Sequence, residues 1–273
     1  MKKEKLTAFG RLQIARDRSR PVIRDYIGEL FEEFLPLSGD RAGCEDQSVL
    51  GGIGLMDGRP VTVVGHQKGR TIEENMACNF GMPGPEGIRK SLRLMKQAEK
   101  FHRPVLTLID TPGAYPGMEA EEHGISAAIA ENLAQMSDLA TPVLAIVTGE
   151  GNSGGALALG VADCVWMMEN AVYSILSPEG FASILWKDAA RSEEACAVMR
   201  MTARELHEDG LVDRVIPEPE GGIQKDFSRC CRGLKRAISQ EFARLQEIPA
   251  GELLEARYRK FRVIEGQKKV VEK

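Results

Sequence analysis

Two segments decide the reading of this chain: PVLTLIDTPGAYPG at residues 104–117 and PVLAIVTGEGNSGGALALG at residues 142–160. Each opens with an almost unbroken apolar run, the pattern of a strand buried on both faces. Each then breaks into a loop rich in small residues, TPGAYPG at 111–117 and GEGNSGG at 149–155. A helical pattern follows the first loop, and GALALGVA, suited to close packing under a sheet, follows the second. This alternation predicts an α/β architecture. Two neighbouring strands ending in such loops would deliver peptide N–H groups into one cleft, where open α/β folds bind ligands. The chemistry is therefore expected to rest on backbone donors more than on side chains.

Outward toward the amino terminus, VLGGIGLM and RPVTVVGHQKG flank Asp57-Gly58 and read as two strands joined by a tight turn. Residues 1–38 read as a basic amphipathic helical arm, with Tyr26, Ile27, Leu30, Phe31 and Phe34 at helical spacing before Pro36. SGDRAGCEDQ reads as a surface loop, and TIEENMACNFGMPGPEG as irregular. Pro85, Glu86 and Gly87 introduce a helix with Ile88, Leu92, Met95 and Ala98 on one face. Toward the carboxyl terminus, DCVWMM and AVYSILS read as short strands, GFASILW as helical, and TARELHEDGLVDRVI as helix, Gly210 turn and final strand. The division expected is an arm at 1–38, a main domain at 39–235 and a basic helical extension at 236–273.

Composition narrows the function. The 273 residues carry a formal net charge of −4, with 43% hydrophobic and 28% charged residues, which is ordinary for a globular protein and argues against generic nucleic-acid binding. The apolar runs fall short of the roughly 20 residues of a membrane span, and MKKEKLTAFGRLQ has no signal-peptide core, so a cytoplasmic location is expected. Basic patches stand at MKKEK with RLQIARDRSRPVIR and at RYRKFRVIEGQKKVVEK. Six cysteines without a C-x-x-C and four scattered histidines give no ligand pattern, so no metal is expected on this chain.

The loops match neither a dinucleotide fingerprint nor a phosphate loop. Gly154 and Gly155, at a helix start, are candidates for stabilising charge that develops on an oxygen during acyl or carboxyl chemistry. Gly113 and Gly117 shape the facing wall, where Tyr115 offers a ring edge or serves as core. Ser153 and Ser177 lack a nucleophile context. Glu119, Glu121 and Glu122 read as helix-start charges, His123 as a surface residue, Ser177-Pro178-Glu179 as a cap, and Trp186-Lys187 as support for a pocket. Lys68 and Arg70 could meet an anion or remain solvated.

Taken together, GHQKGR at 65–70, NFGMPGPEGIRKSLRLMKQAEKF from Asn79, IDTPGAYPG from Ile109, GEGNSGGALALG from Gly149 and YSILSPEGFASILWKD from Tyr173 resemble the alpha subunits of bacterial and plastid acetyl-CoA carboxylase carboxyltransferase. The resemblance extends over most of residues 12–222. It implies a crotonase-like fold of repeated ββα units and transfer of a carboxyl group from carboxybiotin, on its carrier protein, to acetyl-CoA. It also implies a beta partner that bears a zinc module, an α2β2 assembly, and work with biotin carboxylase and the biotin carboxyl carrier protein. On this chain it assigns the amides of Gly154 and Gly155 to the biotin ureido oxygen, with Gly113, Ala114, Gly151, Asn152 and Ser153 around the cofactor. Where relatives have glycine, Asn152 is expected to restrict the loop. Cys78 and His123 stand where arginines are usual, and Ile223-Gln224 where Ala-His is usual. Alternatives are a component of another biotin-dependent acyl-CoA carboxylase or decarboxylase, and a noncatalytic assembly subunit.

Overall fold

The computed structural model describes residues 6–266; the basic stretches MKKEK and QKKVVEK lie outside them. Eight strands are found among the described residues: β1 Glu33–Pro36, β2 Val49–Met56, β3 Arg59–His66, β4 Val105–Thr111, β5 Val143–Asn152, β6 Cys164–Met168, β7 Val172–Ser174 and β8 Arg214–Ile216. They form one sheet in the order β1-β2-β3-β4-β5-β6-β8, with β7 paired to the end of β5. The pairs β1/β2 and β2/β3 are antiparallel and the remaining pairs parallel. Every residue of β4 and β5 is buried, as their continuous apolar runs require. At the β2–β3 turn, Asp57 and Gly58 both have positive φ, 49° and 73°, the conformation that the Asp-Gly pair favours.

Three local expectations are corrected. The helix Ile23–Leu30 buries Tyr26, Ile27 and Leu30, but Phe31–Pro36 turns out of it into β1. The reason lies on β2: a side chain at Gly52 would strike Leu35 O and the Phe34 ring, and one at Gly54 the Phe31 ring, so these glycines make room for the aromatic edge. Thr71 and Glu74 form a capping box that starts the helix Ile72–Ala77 inside the stretch read as irregular. Finally, GEGN continues β5 instead of leaving it, because Glu150, Gly151 and Asn152 pair with Val172, Tyr173 and Ser174 of β7.

The segments before β1 and after β8 both pack on the main core. Tyr26 meets Phe227 edge-on at 5.1 Å. The helix Phe227–Gln246 crosses the expected 235/236 division unbroken and buries Cys231, Leu234, Ile238, Phe242 and Leu245. Behind it, Arg257 on the helix Ala250–Gly266 is 1% exposed. Its guanidinium donates to both Asp163 oxygens at 2.9 and 2.8 Å and to the carbonyls of Met136, Leu139 and Thr141. Arg257 thus gathers the carbonyls at and just after the end of the helix Ile125–Ser137 and fastens the last helix to that turn and to Asp163.

Candidate active site

The parallel neighbours β4 and β5 end side by side, with Thr111 opposite Gly151 and a register shift between Ile109 and Thr111. Beyond Thr111 the chain forms Pro112-Gly113-Ala114. Beyond Asn152 it turns sharply into the single-turn helix Ser153–Leu157. The turn is made by Ser153, whose φ of 57° is left-handed. Gly155 then packs against the facing loop so closely that a Cβ there would lie 2.6 Å from Ala114 N and Gly113 C and 2.8 Å from Gly113 O. Only glycine permits that approach. At Gly113 the demand is different: nothing crowds a Cβ, but φ is 147°. Thr111 holds this wall, its hydroxyl accepting from Gly113 N at 3.0 Å and donating to Gly113 O at 2.7 Å.

The product is a shelf of peptide groups. Ser153, Gly154 and Gly155 are the first three helical residues, so their N–H groups have no acceptor within the helix. A helix of five residues adds little macrodipole, and the individual N–H groups carry the electrostatics. Ser153 is exposed, and Ala114 and Gly154 are partly so. Leu157 on the same helix and Met118 on the segment after Gly117 are large apolar side chains left uncovered, at 39% and 79% exposure.

One residue beneath the shelf carries no signal beyond its place in GHQKGR. His66, the last residue of β3, is fully buried, and its Nδ1 accepts from Asp110 N at 3.3 Å. The proton therefore sits on Nε2, which donates to Gly155 O at 3.2 Å. Burial pushes the imidazole down to about 4, so it is neutral at pH 7 and acts as a fixed strut between β4 and the Gly155 peptide. Asp110 is buried as well. It receives Lys68 Nζ at 2.6 Å and Glu150 N at 2.9 Å. Glu150 in turn holds Arg16 at 2.6 Å and Asn152 Nδ2 at 2.9 Å, and Ser174 Oγ donates to Asn152 Oδ1 at 2.7 Å.

The structure thus brings Gly113, Ala114, Ser153, Gly154 and Gly155 together, with Ala114, Ser153 and Gly154 reaching the surface and Gly113 and Gly155 buried directly beneath them. Gly151 and Asn152 lie behind them, buried in β5. The restriction expected of Asn152 does not arise, since its φ of −119° and ψ of 141° are extended backbone open to any residue. The unusual conformation falls on Ser153 instead. Tyr115 packs with Ile88, Ala120, Ile125 and Ala128, the core role. Glu119 and Glu121 occupy a helix first turn, and exposed His123 meets Glu86 at 2.9 Å, so Glu86 is bound despite the missing arginine. Ser177 caps its helix by accepting from Gly180 N. Trp186 stacks edge-on with Phe181 and carries the Arg191 guanidinium at 4.4 Å. Lys68 and Arg70 line a cavity of about 370 Å³ beside Pro112 and Phe80, each already paired, with Asp110 and Asp25.

Two buried cysteines are held as thiols. Burial pushes Cys164, whose thiol donates to Glu241, up to about 12, and Cys196 to about 11. Among the described residues no group of three or more His, Cys, Asp and Glu side chains could hold a metal ion, and no helix is long and apolar enough to cross a membrane.

Known proteins carry the same pattern. A family model described as acetyl co-enzyme A carboxylase carboxyltransferase-like matches residues 2–265. The chain is 52% identical over 261 residues to acetyl-coenzyme A carboxylase carboxyl transferase subunit alpha of Clostridium acetobutylicum, covering 96% of this chain and 95% of that one. The subunit alpha of Streptococcus thermophilus is 56% identical over 251 residues, 92% of this chain and 96% of that one. Against the beta/alpha protein of Clostridium tetani, 52% identity extends over 96% of this chain, which spans only 46% of that longer one. Among solved structures, a transcarboxylase 12S chain superposes with a TM-score of 0.62 at 21% identity, over 80% of this chain and 43% of that one. A Pseudomonas malonate decarboxylase MdcD-MdcE heterodimer chain gives 0.59 at 17%, over 81% and 90%. These likenesses bear out the crotonase-like α/β fold.

Proposed function

The chain belongs to the acetyl-CoA carboxylase carboxyltransferase-like family, and from that premise we propose that it is the alpha subunit of a carboxyltransferase that makes malonyl-CoA from acetyl-CoA and carboxybiotin. The supporting observation is the contact of Gly155 with the Gly113–Ala114 peptide, which brings two sets of backbone groups together just beneath partly exposed Ala114 and Gly154. Carboxybiotin, carried on its carrier protein, supplies an activated carboxyl group, and charge grows on its ureido oxygen as the carboxyl group leaves. We assign the N–H groups of Gly154 and Gly155, free of acceptors within their helix, to that oxygen, each such donor contributing about 3 kcal/mol to the transition state. Gly113 and Ala114 form the facing wall. Ser153 sets the turn that presents the donors, and Gly151 and Asn152 buttress it from β5. A neutral His66 fits this role, because it fixes Gly155 without placing a charge under the oxygen.

The shelf offers no side-chain base, and the uncovered Met118 and Leu157 suit an apolar partner surface. We therefore assign acetyl-CoA binding and the zinc module to a beta subunit, in an α2β2 assembly supplied by biotin carboxylase in the cytoplasm. The test is malonyl-CoA formation from acetyl-CoA and carboxybiotin by this chain alone and mixed with its beta partner. Activity in the mixture alone supports a shared site. No activity despite demonstrated assembly refutes the assignment.

A further inference from the structure

A second cavity lies at the opposite pole of the sheet. Its volume is about 900 Å³, within the range of small-molecule sites, and it opens beside the amino ends of β3 and β4. The seven residues of β4, a rise of about 20 Å, separate it from the glycine shelf. Met56, Val61, Pro104 and Phe242 give it an apolar floor. Above the floor stand Arg59, Arg103, Arg232, Lys235 and Arg236, facing two carboxylates, Asp57 in the cleft and Glu32 beside it on Lys235. In a chain of net charge −4, that is a marked local excess of cations.

The excess is only partly neutralised internally, because Lys235 pairs with both Glu32 and Asp57. Asp57 is shared between Lys235, Arg59 and the Ser239 hydroxyl. Arg232 and Arg236 form no ion pair among the described residues. Arg103 is half-buried and, among the described residues, its guanidinium donates only to neutral oxygens, Thr62 Oγ1 at 3.1 Å and Gln97 Oε1 at 3.4 Å. Burial without a counter-charge pushes its guanidinium below the ordinary value. Charge complementarity at a helix end explains Lys100 and Arg103, which follow the helix Pro85–Lys100. It does not explain Arg59, the first residue of β3, or Arg232 and Arg236, spaced four apart on one face of Phe227–Gln246.

The same rim presents an aromatic ring. Phe101 is 56% exposed, with the Arg103 guanidinium 5.2 Å from its centroid. Guanidinium groups bind phosphate oxygens in pairs, and an exposed ring beside a cation is a stacking surface for a base. We propose that this cleft binds an organic phosphate carrying an aromatic ring, a nucleotide, at a site separate from the glycine shelf. The proposal stands on this cleft alone and is independent of the carboxyltransferase reading.

The probe is ADP, titrated calorimetrically in low-salt, metal-free buffer into the chain assembled with its beta partner. Acetyl-CoA is present at saturation so that any pocket for the nucleotide of CoA is filled. One saturable site per chain is expected. Arg236→Gln, on an exposed helix face, and Arg103→Gln should each weaken ADP about tenfold or more, the loss of a charge-assisted hydrogen bond. Phe101→Ser should weaken ADP about three- to tenfold and leave pyrophosphate binding unchanged. Three results would overturn the proposal: no saturation by about 10 mM ADP, affinity indifferent to both arginine substitutions, or ADP and pyrophosphate binding alike with no effect of Phe101→Ser.

Discussion

The sharpest consequence of the shelf geometry concerns Gly155→Ala. The added methyl would sit 2.6 Å from Ala114 N and Gly113 C, whereas carbon contacts settle near 3.5 Å, so one loop must retreat by about 1 Å. Neither retreats freely. Gly113 is tied by both bonds to Thr111 Oγ1, and the Gly155 carbonyl by His66. Overpacking of this kind costs about 1–3 kcal/mol of stability, which a chain with so large a core survives. Catalysis should suffer more, because a displacement of about 1 Å at the reacting centre can cost about 100-fold. We expect kcat for malonyl-CoA formation, measured on the complex with the beta partner, to fall about 100-fold while KM for acetyl-CoA holds. Gly154→Ala is the internal control. Its Cβ meets only the flexible end of Ile129 at 3.0 Å, and it should stay close to the parent rate. A folded Gly155→Ala enzyme with undiminished kcat would refute the idea that the contact sets the donors.

His66 gives a pH signature. Its folded pKa of about 4 lies below the ordinary 6.5, so between those values the unfolded chain binds the extra proton and stability rises with pH. Urea titrations should show up to about 3 kcal/mol lost as pH falls from 6.5 toward 4. His66→Gln, which cannot titrate, should flatten that component; an unchanged slope would contradict the assignment. At Arg257, substitution by Ala strips a buried carboxylate, Asp163, of its partner and should destabilise by about 3–5 kcal/mol. Amide exchange should locate the loss in 250–266 and at the end of the helix Ile125–Ser137, and uniform protection would argue against it.

Much of this architecture is legible in the chain, and the exceptions share a cause. The Asp57-Gly58 turn, the apolar runs of β4 and β5 and the Ser177-Pro178 cap depend on neighbours in sequence, and each forms where the local pattern puts it. Phe31 and Phe34 fit a helix equally well until Gly52 and Gly54, some twenty residues on, provide slots for their rings. GEGN has a loop's composition but is held extended by β7, which lies beyond another helix and strand. The Thr71–Glu74 box was readable and was masked by the glycines and prolines after it. At the site, the glycines announce themselves, yet their separate duties do not. Gly155 is required by contact, Gly113 by φ, and the left-handed turn falls on a serine. His66 acts through a peptide 89 positions away, a relation no local spacing can reveal.

The central claim is that peptide N–H groups on this shelf stabilise the transferring state, and the most direct measurement removes one N–H while every side chain stays in place. Replacing Gly154 by glycolic acid turns the Ser153–Gly154 amide into an ester, deleting a donor that the helix does not use. Carboxyl transfer by the assembled enzyme should then fall about 100- to 1,000-fold in kcat, with KM for acetyl-CoA unchanged. An ester enzyme that assembles and transfers carboxyl groups at the parent rate would contradict the account.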